Sequence, residues 1–247
     1  MRVVATRLHT SNEAVPIDPE QIKAWCQNVL SYSDLLIIVV DNRYFQRVGK
    51  MLMRFGNRVK LFHIDPWISY TQPLNMIIEK ALCVGATKLL FQSIEVTALP
   101  EDIKSLERYL DGNTLVVGVK LHEMHGHINK KVELTGWTTP WNTLALWNLQ
   151  KLGLTGFLTV SSGNLLGISG GVEEVVTISL LQTLHPNSMI AKMVELKSVV
   201  WSTEWSCKER EAYHIAKMAS KNDRAKKQLR ALGISPGFVM IVKDEDD

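Results

Sequence analysis

The sequence predicts a single α/β domain with a mostly parallel central sheet flanked by helices, and three observations support this fold class. Short β-rich apolar runs alternate with stretches of helical periodicity through the first half of the chain. The run Leu35–Val40 is apolar at every position, which is typical of a parallel strand covered on both faces. Such runs end in turn residues, as at Asp41-Asn42. Right-handed strand–helix–strand connections then bring the strands into one doubly wound sheet.

The first half is predicted to contain five strands with a helix in each gap. The predicted strands are Val3–Leu8, Leu35–Val40, Val59–Ile64, Lys88–Gln92 and Thr114–Leu121. The clearest apolar stripe at helical spacing is formed by Leu74, Ile77, Ile78, Ala81 and Leu82. Pro19 and Pro100 suit the first turn of a helix, where proline is favoured. Gly56 and Gly85 suit helix ends.

The segments that follow the strands are the expected place for a binding site. Doubly wound sheets bind their ligands at the carboxyl ends of strands, near a switch in strand order. The segments in question are His9–Glu13, Asp41–Arg43, His63–Trp67 and Ser93–Glu95.

The second half is less regular, and its elements are predicted from local patterns. A helix is predicted over Pro140–Lys151, with Trp141, Leu144 and Trp147 on one side. A strand over Thr155–Val160, a Gly/Ser-rich loop over Gly163–Gly171 and a helix over Val172–Leu184 follow.

The C-terminal region is predicted to form a long charged helix and then a strand. The helix covers Lys208–Leu232, with an alanine seam at Ala212, Ala216 and Ala219. The wholly acidic tail Asp244–Asp247 is predicted to be disordered.

Composition excludes several classes of protein. The formal net charge of +3 over 247 residues argues against a dedicated nucleic-acid binder. The three cysteines are far apart and lack metal-ligand spacing, which favours a reducing, cytoplasmic location. Apolar runs are too short to span a bilayer, and the N-terminal segment lacks the long apolar region of a leader. We therefore expect a cytoplasmic protein without a transmembrane segment.

Two common nucleotide-binding motifs are missing. The first strand is not followed by Gly-x-Gly-x-x-Gly, and the P-loop pattern does not occur. Both a nicotinamide enzyme and a P-loop kinase are therefore disfavoured, although the strand–helix order suits either.

An ordered series of short segments resembles the GT-A nucleotide-sugar glycosyltransferases of the family 2 type. The matching segments, in chain order, are His9–Glu13, Asp41-Asn42, Asn75, Ser93–Glu95, Pro140–Asn142, Leu154–Phe157 and Gly171–Glu174. His9 stands where the family usually has proline. The resemblance covers roughly residues 1–185 and rests on the order of the segments rather than on any one of them.

The resemblance implies one GT-A-like domain over residues 1–243, followed by the acidic tail. Residues 1–121 would form the nucleotide-binding half and residues 122–207 the acceptor half, with a C-terminal helix and strand over 208–243. The implied donor-binding residues are Thr10, Asn12, Glu13, Asp41, Ser93 and Glu95. Asp41 would accept a hydrogen bond from a uracil or guanine N–H.

The resemblance also implies a general base at Glu173 or Glu174, where the family has an acidic helix start. Two adjacent acids point about 100° apart on a helix, so only one faces the site, and the family pattern favours Glu174. Trp137 and Trp141 are candidate acceptor-binding residues because indole faces stack on sugar rings and line apolar pockets.

The family's paired metal-binding aspartates are replaced at one position by Ser93 and at the other by Glu95. One carboxylate binds a hard cation such as Mn²⁺ or Mg²⁺ only weakly. Three alternatives remain: the ion is held differently, with Glu95 as a weak ligand; basic side chains replace it; or activity is lost. Lys208 and Arg210 are the first basic candidates, since they begin the charged helix.

Each site residue also has a structural interpretation. Asp41-Asn42 is a common turn. Acids in the first helical turn are favoured by the helix dipole, and tryptophans bury most area in cores. His122, His125 and His127 form a histidine cluster that suits either a transition metal or an exposed loop.

The function predicted from sequence is transfer of a sugar from a UDP- or GDP-linked donor to a hydroxyl of a sugar, lipid-linked or protein acceptor, with inversion. The alternative is a catalytically inactive nucleotide-binding or structural module on the same fold, which the lost acidic pair motivates. A nucleotidyltransferase is the third possibility, and the lack of glycine in residues 5–15 argues against it.

Overall fold

The structure is a computed structural model that describes residues 1–9, 18–121, 130–163, 167–202 and 208–244, with the side chains of residues 209, 210 and 213 outside the description. The strands are β1 (Arg2–Leu8), β2 (Leu35–Asp41), β3 (Val59–Ile64), β4 (Lys88–Gln92), β5 (Val96–Thr97), β6 (Thr114–Val119), β7 (Lys130–Glu133), β8 (Leu144–Asn148), β9 (Ile190–Glu195), β10 (Val200–Trp201) and β11 (Phe238–Lys243). The helices are α1 (Pro19–Val29), α2 (Asn42–Leu52), α3 (Thr71–Cys83), α4 (Pro100–Tyr109), α5 (Leu149–Leu152), α6 (Glu173–Leu184), α7 (Lys208–Ala219) and α8 (Lys221–Leu232).

Within the described ranges, nine strands form one sheet in the order β3-β2-β1-β4-β8-β6-β9-β11-β7. Most neighbours pair in parallel, while β8 pairs antiparallel with β4 and β6, and β7 pairs antiparallel with β11. The predicted fold class, a mostly parallel sheet flanked by helices, is confirmed. The short strands β5 and β10 pair with each other beside this sheet.

Helices cover both faces of the sheet because each central strand sends alternate side chains into two separate cores. Val3 and Ala5 of β1 join one core, and Val4 and Leu8 join the other. The first core takes apolar residues from α3, α6 and α8, and the second takes them from α1, α2 and α4.

The parallel strands bring their carboxyl ends to one edge of the sheet. β2 lies on one side of β1 and β4 lies on the other, so the strand order changes direction at β1. A crevice outside the strand ends is expected at such a switch point. His9, Asp41 and Ser93, one residue from each of three predicted segments, stand at or just after the ends of β1, β2 and β4.

The predicted helix over Pro140–Lys151 is wrong. Leu144–Asn148 is strand β8, inserted between β4 and β6, and only Leu149–Leu152 is helical. Leu144 and Leu146 enter one core while Ala145 and Trp147 enter the other. A strand buried on both faces carries apolar residues at every position, and such a run also satisfies helical spacing.

The predicted strand over Thr155–Val160 is also wrong. Gly156 takes a left-handed backbone with φ of 60°, which ends any extended run, and a 3-10 helix follows over Thr159–Ser162. Asn75 of α3 holds the segment by a two-point contact. Its Oδ1 accepts from the Phe157 N–H at 2.8 Å, and its Nδ2 donates to the Phe157 carbonyl at 2.9 Å.

Other boundaries differ from the sequence predictions. The α2 helix ends at Leu52, and a 3-10 helix over Met53–Arg58 contains Gly56, while β6 ends at Val119 rather than at Leu121. The long C-terminal helix is divided at Ser220 into α7 and α8. The alanine seam of Ala212, Ala216 and Ala219 is exposed, whereas Ala225 and Leu229 of α8 are buried in the core.

The first residue of the acidic tail is ordered, contrary to prediction. Asp244 is 5% exposed, and its carboxylate accepts hydrogen bonds from Arg108 Nη2 at 2.9 and 3.2 Å. Residues 245–247 lie outside the described residues.

Candidate active site at the carboxyl edge of the sheet

Asp41 occupies the end of β2 and caps the N-terminus of α2. Its Oδ1 accepts from Arg43 Nε at 2.9 Å and from the Arg43 backbone N–H at 3.0 Å, and its Oδ2 accepts from Arg43 Nη2 at 3.0 Å. His9 Nδ1 lies 3.2 Å from Oδ2. The hydrogen bonds from the Arg43 side chain outweigh burial and lower the pKa of Asp41 to about 2. Asp41 is therefore an ionised carboxylate that already holds two side chains.

An aromatic platform stands beside Asp41. The His9 ring stacks on Trp67 with centroids 4.7 Å apart and planes 8° from parallel. Trp67 follows β3 and the Asp65-Pro66 peptide, and Asp65 Oδ2 accepts from Asn42 Nδ2 at 2.9 Å. The ends of β1, β2 and β3 thus combine stacked rings with carboxylates, which suits a heteroaromatic base.

Glu173 and Glu174 begin α6 and are both buried, at 3% and 8% exposure. Glu173 Oε1 lies 3.0 Å from Nη2 of Arg7, the residue before the last in β1. Burial raises the pKa of Glu173, but the Arg7 charge, hydrogen bonds from the Glu173 N–H and the Arg7 side chain, and the charge of Lys217 together outweigh burial and bring that pKa below its usual value. The end of β1 and the start of α6 are therefore joined by an ion pair.

Glu174 differs from its neighbour in its partners. Its Oε1 accepts from the Asn142 backbone N–H at 2.8 Å. Burial, and then the charge of Glu173, raise the pKa of Glu174 above its usual value. The pKa values of the two adjacent carboxyl groups thus shift in opposite directions. Such an arrangement separates a group suited to proton transfer, here Glu174, from one that stays ionised, here Glu173.

Cations from the α7–α8 junction lie against the start of α6. Lys221 Nζ stands 3.2 Å from the centroid of the Trp141 ring, and Lys217 Nζ stands 5.6 Å from the Tyr70 ring. Arg224 donates to the carbonyls of Gly170 and Gly171, just before α6. Burial lowers the pKa of Lys221 to about 7, although the Glu174 charge opposes this shift.

Trp137 and Trp141 lie beside these cations. Trp141 is buried, and its Nε1 donates to the Gly136 carbonyl at 2.9 Å. Trp137 is half-buried, with its ring centroid 5.7 Å from that of Trp141. The ring centroid of Trp201 also lies 6.0 Å from that of Trp141. Trp141 thus adjoins the Glu174 partner Asn142, with Trp137 beside it, and the role of both indoles in binding an acceptor stays a prediction.

Ser93 and Glu95 follow β4, and both side chains are half-buried. The backbone N–H of Ser93 donates to Thr143, and the carbonyl of Glu95 accepts from Ser202. Within the described ranges no group of three His, Cys, Asp or Glu side chains has a geometry suited to a metal ion. The single carboxylate of Glu95 does not fit a conventional two-carboxylate site for a hard cation.

Several predicted residues lie outside the described residues. These are the donor candidates Thr10, Asn12 and Glu13, the histidines His122, His125 and His127, and the side chain of Arg210. Lys208 begins α7 and is exposed.

Sequence reasoning missed the charged residues that complete the site. Arg7 is the single charged residue within the predicted strand Val3–Leu8, and this was the available signal. Lys217 and Lys221 are four residues apart in the predicted helix Lys208–Leu232, and their common face on that helix was the available signal, although Lys208 and Arg210 were preferred. Arg43 and Trp67 fell inside the predicted segments, although no role was assigned to them.

No family model matches the chain, and no curated protein matches it. Among solved structures, the chain is similar to a 4-diphosphocytidyl-2C-methyl-D-erythritol synthase from Anaerococcus prevotii DSM 20548, with 12% identity and a TM-score of 0.52 over 88% of this chain and 98% of that one. A structure of S. aureus TarS 1-349 matches with 14% identity and a TM-score of 0.45 over 72% of this chain and 54% of that one. This chain thus spans about half the length of that TarS structure.

Mouse xyloside xylosyltransferase 1 matches with 8% identity and a TM-score of 0.37 over 90% of this chain and 92% of that one. The match to the synthase shows a shared fold, and at such identity it shows the fold alone. In the described part of the chain, no helix combines the length and the apolar character needed to cross a bilayer.

Proposed function

We propose that the protein is a glycosyltransferase that transfers a sugar from a nucleotide-diphosphate donor to an acceptor hydroxyl with inversion. The observation that carries the proposal is the buried Glu174 at the start of α6, beside the strand ends and next to a second carboxylate with the opposite shift in pKa. Inverting transfer needs one group to take the proton of the attacking hydroxyl. The fold, which the A. prevotii synthase shares, supports a donor site at the carboxyl ends of the strands, the edge of the sheet at which Glu174 lies.

Glu174 suits the role of general base better than Glu173 does. Arg7 holds a Glu173 oxygen and lowers the pKa of that carboxyl, so its charge is stabilised and its proton affinity is low. The raised pKa of Glu174 brings its proton affinity closer to that required near neutral pH. We assign Glu173 to holding Arg7 and the end of β1 in place.

The donor nucleotide is proposed to lie over the ends of β1 to β3. Its base would meet the stacked His9 and Trp67 rings and the carboxylate of Asp41. Since both Asp41 oxygens already accept hydrogen bonds, a uracil or guanine N–H would replace a bond from Arg43 or His9. Thr10, Asn12 and Glu13 complete the proposed donor site from the segment after β1, and Trp137 and Trp141 stay the proposed acceptor residues.

Transfer is proposed to proceed without a firmly held divalent ion. The position of the family's acidic pair offers one carboxylate, that of Glu95, and the hydroxyl of Ser93. Mn²⁺ or Mg²⁺ bound there would be held weakly, as one carboxylate supplies little charge.

The test is a thermal-shift panel of UDP- and GDP-sugars with and without Mn²⁺, followed by donor hydrolysis or transfer assays. A bound donor raises the melting temperature by mass action, and we expect such a shift without the metal. The Glu174→Gln variant is expected to keep the shift and to lose turnover by at least about 100-fold, the usual range for a general base. Glu101→Gln is the matched control because Glu101 also lies in the first turn of a helix but is exposed.

The replacement of an acid by Ser93 specifically favours one alternative, a nucleotide-binding module without transfer activity. That alternative predicts a thermal shift with nucleotide sugars and no turnover in either the wild type or the Glu174→Gln variant. The absence of a shift with every UDP- and GDP-sugar would contradict both functions.

A further inference from the structure

The charges around the start of α6 do not balance in the described part of the chain. Arg7 pairs with Glu173, and Arg224 is committed to the carbonyls of Gly170, Gly171 and Lys217. Two lysines, Lys217 and Lys221, then stand against one further carboxylate, that of Glu174. Neither lysine forms an ion pair with a carboxylate in the described ranges. The site therefore carries an excess of positive charge, which attracts an anion.

Lys217, Lys221 and Arg224 lie on one side of the α7–α8 junction. The Ser220 N–H donates to the Ala216 carbonyl, and the Arg224 N–H donates to the Ser220 carbonyl, at 3.1 and 3.0 Å. These bonds keep the helical hydrogen-bond pattern across the junction, and residues i, i+4 and i+7 share one helix face. That face lies on Tyr70, on Trp141 and on the loop before α6.

Lys221 is held in this position at a cost. Its ammonium rests on the Trp141 ring rather than in water, and partial burial of an amine without a paired carboxylate is unfavourable. Cation–π contact offsets only part of the lost hydration. An amine held at such a cost without a paired carboxylate is a frequent sign of a binding site.

We propose that Lys217 and Lys221 form a binding site for the diphosphate of the donor and supply the positive charge that the incomplete acidic pair after β4 does not recruit. A diphosphate carries its charge on two phosphoryl groups, each of which can bind one of two neighbouring cations. The proposal rests on the proposed function for the identity of the ligand. It replaces Lys208 and Arg210 as the basic candidates, because Lys208 is exposed at the far end of α7.

Protonation of Lys221 gives a signature of this site. Burial holds the pKa of Lys221 at about 7, so much of this amine is neutral at pH 8. The charged groups that face it are Glu173 and Glu174 from α6, Lys217 and His214 from α7, and Arg224 from α8, while Arg7 of β1 pairs with Glu173. An arriving diphosphate would raise the pKa of Lys221, so the protein should take up a proton on binding.

The experiment is calorimetric titration of the full chain with inorganic pyrophosphate at pH 8, with a chelator, in two buffers of different ionisation enthalpy. We expect binding, with proton uptake of up to one per site. Lys217→Met and Lys221→Met should each weaken binding by about tenfold or more, the fold-change for loss of a charge-assisted hydrogen bond. Lys226→Met is the matched control, since Lys226 is exposed on the same helix, and it should bind like the wild type.

Lys221→Arg separates a binding role from a structural one. Arginine keeps its charge at pH 8, so this variant should bind pyrophosphate without taking up a proton. Loss of pyrophosphate binding by Lys226→Met as severe as that of Lys221→Met, wild-type binding by both lysine-to-methionine variants, or no binding by the wild type would each overturn the proposal. Melting curves identify any variant that fails to fold. If a methionine variant does not fold, the presence or absence of proton uptake by Lys221→Arg tests the role of Lys221.

Failure here is distinguishable from failure of the proposed function. Pyrophosphate binding that depends on both lysines, together with no response to any nucleotide sugar, supports the anion site and contradicts glycosyl transfer. Transfer activity with lysine-independent pyrophosphate binding contradicts only the anion site.

Discussion

At the scale of single residues, the site is set by how each buried charge is paired. Burial acts on Glu173, Glu174 and Lys221 alike, yet the pKa of Glu173 falls while that of Glu174 rises, because their partners differ. Glu173 has the guanidinium of Arg7, Glu174 has one backbone N–H, and Lys221 has an indole ring. Partner chemistry rather than burial therefore decides which of the two glutamates can accept a proton.

The Arg7–Glu173 pair gives a stability prediction at this scale. Arg7→Met leaves Glu173 buried without its cation, and we expect a loss of about 3 kcal/mol, the low end for a broken buried pair, because the Arg7 side chain is 30% exposed. Urea unfolding at pH 7 measures this loss. Lys23→Met is the control, since Lys23 pairs with the exposed Glu20, and it should change stability by less than about 0.5 kcal/mol.

The same variant should respond to pH with a defined sign. The pKa of Glu173 is lowered in the folded state, so the stability it contributes is present above its unfolded pKa and is lost as the pH falls through the folded value. The difference between wild type and Arg7→Met should therefore be largest at neutral pH and shrink on acidification below the usual glutamate range. A difference that grows towards acid pH would contradict the assigned pairing.

At the scale of elements, the turn before Trp137 fixes where α8 begins. A Cβ on Gly136 would stand 2.4 Å from the carbonyl carbon and oxygen of Lys221 and 2.8 Å from the Asn222 nitrogen. The Trp137 N–H also donates to Asn222 Oδ1 at 3.1 Å. The close approach of these backbones holds Lys221 against Trp141.

Gly136→Ala should displace the start of α8. We expect a loss of about 1–3 kcal/mol from overpacking, measured by urea unfolding, and weaker pyrophosphate binding because Lys221 moves with the helix. Gly112→Ala is the control, because a Cβ there meets nothing within 4 Å. Equal stability of the two variants would show that the turn adapts to the extra methyl group.

At the scale of the whole molecule, one sheet contains strands from both ends of the chain. β1 begins at Arg2 and β11 ends at Lys243. Asp244 then ties the last strand to α4, through Arg108 and through the Tyr109 hydroxyl at 3.3 Å. The two cores on either face of this sheet draw on helices from the whole sequence.

Asp244→Asn tests whether this tie stabilises the whole fold. The buried carboxylate loses its charge while half of the Arg108 side chain is exposed, so we expect a loss of about 1–2 kcal/mol in a single unfolding transition. Asp223→Asn is the control because Asp223 and Lys227 are both largely exposed. A change no larger than in that control would show that the tie adds nothing to global stability.

Prediction from sequence succeeded where the signal was local. The alternation of apolar runs and helical stripes placed β1 to β4 and the helices between them, since these patterns repeat within a few residues. It failed at Leu144–Asn148, because burial on both faces of a strand depends on distant neighbours. Trp147, for example, packs on Phe157 and donates its Nε1–H to Asn142.

The amino-acid sequence by itself determined the α/β class, the strand ends that gather at one edge, and the acidic start of α6. Only the tertiary structure decided that β8 lies between β4 and β6 and that Arg7 pairs with Glu173 rather than with Glu174. It also decided that Lys217 and Lys221 face the site. The reason is distance along the chain: Arg7 and Glu173 are 166 residues apart. Local periodicity fixes which face of an element is apolar, whereas the partner of a buried charge is fixed only when the sheet is assembled.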